Sequence, residues 1–131
     1  MIESTYIELI QEYGVNDNLA NELWSEINAN YSKSNRHYHN LHHLEDLHLQ
    51  LKSVKSRIDN WQVILFTLFY HDIVYKATKK DNEEKSAELA KRRMTQIGVS
   101  KKNIGLCFDQ IIATKTHKSK SNSDTNFLTE L

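Results

Sequence analysis

The sequence predicts an all-α bundle of six to seven helices. Proline is absent, and glycine occurs only three times in 131 residues, so few positions force a helix to break. Apolar residues recur at steps of three and four along most of the chain. Ser, Asn or Asp stands before most of these runs, where a helix N-cap belongs. The length suits one modest core, so residues 1–131 are expected to form a single domain.

The first helix is expected over 4–13. Ser4 caps it, Tyr6, Ile7, Leu9, Ile10 and Tyr13 make its apolar side, and Gly14 stops it. Asn16 or Asp17 caps a second helix carrying Leu19, Leu23, Trp24, Ile27 and Tyr31. A third starts near Tyr38 to Asn40 and runs toward Ile58, with Leu44, Leu47, Leu51, Val54 and Ile58 in step. Asn60 caps a fourth, Trp61 to about Val74, apolar nearly all round and therefore central. Asp81 or Asn82 caps a fifth, Glu83 to about Gln96, whose stripe of Ala87, Ala90, Met94 and Ile97 ends at Gly98. Glu83 and Glu84 suit the positive end of that helix dipole, and a supporting role behind a site is the alternative for both. Ser100 caps a sixth helix, with Ile104, Cys107, Phe108, Ile111 and Ile112 on its buried face. Residues 118–123 are poor in apolar side chains and are expected to be mobile, and Asp124 to Leu131 could begin a short last helix.

Composition narrows the function. Formal net charge is zero, so nothing draws the chain broadly to nucleic acid or anionic membrane. Cys107 is the single cysteine and the N-terminus shows no secretion signal, which fits a reducing, cytoplasmic setting. The longest apolar run, Val63 to Tyr70, is too short to span a bilayer.

The histidines are unevenly placed. Four of seven lie between Arg36 and Asp46. His39 and His43 are four residues apart and share a helical face. His43 also lies one turn before Leu47 on the inward stripe, where a core histidine bonded to a carbonyl is the plain alternative. A second pair, His71–Asp72, follows the apolar fourth helix. If the two segments meet, His43, His71 and Asp72 offer two imidazole nitrogens and a carboxylate to one divalent metal. The donor set suits manganese, iron, magnesium, zinc, cobalt or nickel without choosing among them.

Four stretches in order carry a family resemblance: Tyr38 to His43, Phe69 to Tyr75, Asp81 to Ala87 and Ala113 to His117. Together they resemble the metal-dependent phosphohydrolases of the HD-domain superfamily, in the subgroup marked by an Arg-x-Tyr-His-Asn-Leu-x-His segment. The match runs from about Arg36 to Leu128. It implies an HD-domain-like helical fold with His71 and Asp72 as the metal doublet. The first stretch is also similar to the Tyr-His-Asn-x-x-His signature of cyclic-nucleotide phosphodiesterases. That analogy implies His43 as a first ligand and His39 as the proton donor to the leaving oxygen. It leaves His42 on the surface or behind the site. His117 resembles a subgroup histidine that would meet substrate phosphate or a second metal, and the cations Arg36 and Lys115 are further phosphate contacts. For both, a solvated surface cation is the alternative, and for Lys115 it is the stronger expectation.

The pattern breaks at the end. The superfamily's last ligand is a distal aspartate, yet Phe127-Leu128 is followed by Thr129-Glu130-Leu131. Asp124 or Glu130 could stand in, although neither is in register. The C-terminal part of the family domain is thus expected to be missing, which would expose apolar surface for a second copy to cover. The leading expectation is hydrolysis of a nucleotide or other small phosphoester by metal-activated water. The second is a degenerate HD domain that binds a ligand or protein. The third, a plain helical interaction domain with incidental histidines, explains the four ordered motifs least well.

Overall fold

The computed structural model describes residues 2–33, 36, 40–76, 78–115 and 123–129. It is all-α, with seven α-helices among the described residues: α1 (Ile2–Gln11), α2 (Asp17–Tyr31), α3 (Leu41–Ser53), α4 (Trp61–Tyr70), α5 (Asn82–Gln96), α6 (Lys101–Thr114) and α7 (Ser123–Thr129). A 3-10 turn, Lys55–Arg57, follows α3.

Helix α4 is the centre. Every residue from Val63 to Tyr70 is buried, and α1, α3, α5 and α6 all pack against it. An all-apolar helix has no face for water, so its neighbours must surround it. Its tyrosine is buried too, and it meets its polar need inside: the Tyr70 and Tyr6 hydroxyls are 2.7 Å apart. Burial pushes both phenols above their ordinary value. Between α2 and α5, Arg93 forks onto the Glu26 carboxylate with two bonds of 2.8 Å.

Local capping follows the expected residues closely. Asn16, Asn40, Asn60 and Ser100 each accept a bond from the backbone N–H three residues on. Gly14 and Gly98 hold φ of +79° and +88°, the left-handed turn that closes a helix C-terminus. At Asp81 the cap position is filled but the side chain makes no cap bond. Asn82 instead ties the preceding loop, bonding both the N–H and the carbonyl of Lys76.

Three boundaries differ from the periodic pattern. Helix α1 begins at Ile2, ahead of Ser4, and the Ile2 N–H reaches Glu45 of α3. Helix α3 stops at Ser53, and the 3-10 turn then delivers Ile58 to the core on extended backbone. Helix α4 stops at Tyr70, although Ile73 is fully buried. Periodicity records which side chains are inside, and a tighter turn can bury the same residue as another helical turn.

Helix α7 lies against α6 and reaches the start of α4. Asp124 is 2 % exposed, and its two carboxylate oxygens accept the N–H groups of Asp59 and Asn60 at 2.9 and 2.8 Å. This acid satisfies backbone donors just ahead of the central helix. The opposite end of α4, where His71 and Asp72 sit, is roughly 16 Å away at 1.5 Å per residue. Asp124 therefore cannot replace a metal ligand beside that doublet, which corrects the expectation that it could.

Among the described residues, no helix is long and apolar enough to cross a membrane.

Candidate metal centre

The turn after α4 carries the doublet. His71 and Asp72 are held close to the protein, with side chains 15 % and 18 % exposed. The His71 N–H still closes the helix by bonding to the Thr67 carbonyl at 2.8 Å. Its ring Nδ1 lies 2.8 Å from the Leu68 carbonyl. A carbonyl only accepts, so Nδ1 must carry the proton, and in the neutral ring Nε2 keeps its lone pair. A metal-binding histidine needs this tautomer when it ligates through Nε2.

The Asp72 Oδ2 stands 3.7 Å from that Nε2. Two donors each about 2.1 Å from one ion can be at most about 4.2 Å apart. The observed spacing corresponds to an angle of roughly 120° at the ion, within reach of tetrahedral or octahedral geometry after small rotations. The pair thus fits two positions of a divalent site.

The surrounding turn is held by distant side chains. Arg36 is buried, and its two terminal nitrogens donate to the Asp72 and Ile73 carbonyls, each at 2.7 Å. The guanidinium lies 4.9 Å from the Tyr31 ring centroid and 5.6 Å from that of Tyr75. Burial pulls its pKa below the ordinary value, opposed by the neighbouring Tyr31 and Asp72. The Tyr31 hydroxyl donates to the Phe69 carbonyl at 2.9 Å and accepts the Asp72 N–H at 3.2 Å. Burial drives that phenol well above its usual range. Ser86 of α5 bonds both polar groups of Val74, so the segment is pinned from that side as well.

Other expected site residues are placed as follows. His43 lies in the first turn of α3, half-buried, with its backbone N–H on the Asn40 cap. Helix α3 packs against α4. Among the described residues, no three His, Cys, Asp or Glu side chains form a group that could hold a metal. His39, His117 and Glu130 lie outside the described residues. His42 is exposed and faces Asp46 at 3.7 Å. Lys115 is exposed and bonds both oxygens of Glu84, at 3.2 and 2.9 Å, plus the Lys80 carbonyl. That bond holds the Glu84 carboxyl below its usual range and raises the Lys115 ammonium. Glu83 sits beside it in the first turn of α5, half-buried.

Sequence reasoning reads Tyr31 as an apolar residue of α2 and Arg36 as a phosphate contact or a solvated surface cation. Both instead grip the doublet's backbone. A buried tyrosine does signal that its hydroxyl needs a partner, but it does not say which one.

No protein-family model, curated protein or solved structure matches this chain.

Proposed function

We propose that the chain is a metal-dependent phosphohydrolase of the HD type, acting on a nucleotide or another small phosphoester. The observation that carries the reading is the His71 ring, which is turned by the Leu68 carbonyl so that Nε2 is free of the proton and stands beside the Asp72 carboxylate. The four ordered sequence motifs give this pair its reaction class. A divalent ion, when bound, polarises a phosphoryl oxygen and acidifies water toward neutral pH. His71 and Asp72 would supply two donors; His43 forms no metal-holding group with them as the helices stand, and would have to move toward them to add a third. His39 would protonate the leaving oxygen, and His117 would meet the phosphate.

The test is turnover. Wild type and Asp72→Ala are compared on phosphomonoesters and phosphodiesters with manganese, cobalt or nickel added. The proposal expects activity that Asp72→Ala abolishes. No Asp72-dependent turnover on any substrate would sink it.

A second reading is a degenerate HD domain that binds a ligand or a protein. The burial of Asp124 against Asp59 and Asn60 favours it, because one stand-in for the distal acid is committed elsewhere. Metal retention without turnover is its signature.

A further inference from the structure

We infer that Arg36 and Tyr31 are positioning residues for the His71–Asp72 doublet. They hold the peptide units from Phe69 to Ile73, and through them the direction in which the imidazole Nε2 and the carboxylate point. The inference deepens the metal-site reading and rests on it only for the metal arm of the test below.

The end of a helix leaves carbonyls without intrahelical partners. Here nearly every one in the turn has a named donor. The Thr67 carbonyl takes the His71 N–H, Leu68 the His71 ring, Phe69 the Tyr31 hydroxyl and Tyr70 the Ile73 N–H. Asp72 and Ile73 take the two arms of Arg36. The turn has no glycine to close it and owes its shape to side chains 36 to 41 positions away in sequence. Positive charge at the C-terminal end of α4 also suits the helix dipole.

The chemistry requires arginine. Two carbonyls on adjacent residues are met by one planar fork, whose faces also lie near Tyr31 and Tyr75. An ammonium is a point donor, so lysine would keep the charge and lose the fork. Tyr31 complements it by bridging the Phe69 carbonyl to the Asp72 N–H through a single oxygen.

The test uses Arg36→Lys and Tyr31→Phe in the full chain. Asp124→Ala serves as a control that loosens the far end of α4. Ring ¹⁵N shifts of His71 and amide exchange at Asp72 and Ile73 are read by NMR without metal. Wild type should show one His71 tautomer, protonated at Nδ1. Each variant should mix tautomers and speed exchange at both amides by about tenfold, while Asp124→Ala leaves the His71 signals in place. Manganese affinity should fall roughly tenfold or more in both variants. Unmoved His71 signals in both variants would overturn the inference, as would an equal shift in Asp124→Ala. Wild type that binds no manganese would sink the metal-site reading, while the tautomer and exchange data would still decide the roles of Arg36 and Tyr31.

Discussion

Replacing Asp124 with alanine should destabilise the fold by about 2–4 kcal/mol without touching the doublet. The carboxylate is almost fully buried and accepts two backbone N–H groups, from Asp59 and Asn60. Losing the hydrogen bond to one backbone amide costs about 0.5–1.5 kcal/mol net. Stranding a second buried amide adds about 1–3 kcal/mol. Partial access of water to the vacated space keeps the total near the middle of that range. Asp124→Asn should fall between, since it keeps one oxygen acceptor for two donors. Urea unfolding at neutral pH measures the difference, with the slope unchanged if only stability moves. A loss below about 0.5 kcal/mol, the scale of ordinary surface changes, would refute the assignment. Loss of bound metal in folded Asp124→Ala would refute it from the other side, by placing Asp124 at the site.

Three further outcomes follow from the core. Burial pushes the Cys107 thiol up to about 12, so a thiol reagent at pH 8 should label it only after unfolding. Its folded value is raised above the unfolded one, as are those of Tyr6, Tyr31 and Tyr70. Their contribution is therefore complete below about pH 9 and is lost as pH rises through the alkaline range, by up to about 1.4 kcal/mol per pH unit for each group. Denaturant titrations from pH 8 to 11 check this, and a flat profile would contradict it. Thr67→Val should cost about 1–3 kcal/mol, because its hydroxyl donates to the buried Gln110 oxygen at 2.6 Å. Adding Gln110→Met should recover much of that loss, since the Gln110 amide nitrogen already has no partner among the described residues.

What could be read from the sequence was local. Asn16, Asn40, Asn60 and Ser100 cap helices through partners three residues away, and such pairs are visible in a linear string. The apolar run of α4 marked the centre for the same reason. Long-range polar contacts were not legible. Arg36 reads as a phosphate contact or a solvated cation and Asp124 as a possible stand-in ligand, yet each is buried against backbone groups more than thirty residues away. The end of α4 depends on those contacts, so its boundary was overextended to Val74. At the candidate site, adjacency alone made His71–Asp72 visible. The ring's tautomer came from a carbonyl one turn back, and the grip on the turn from α2 and the residues just after it.

The most direct test is the metal content of protein purified without chelator, measured for wild type, His71→Ala and Asp72→Ala. The account predicts close to one divalent ion per wild-type chain and little in either variant, with all three folded. Folded wild type that holds no ion after exposure to manganese, cobalt, nickel, zinc and iron would contradict it. So would variants that retain as much metal as wild type.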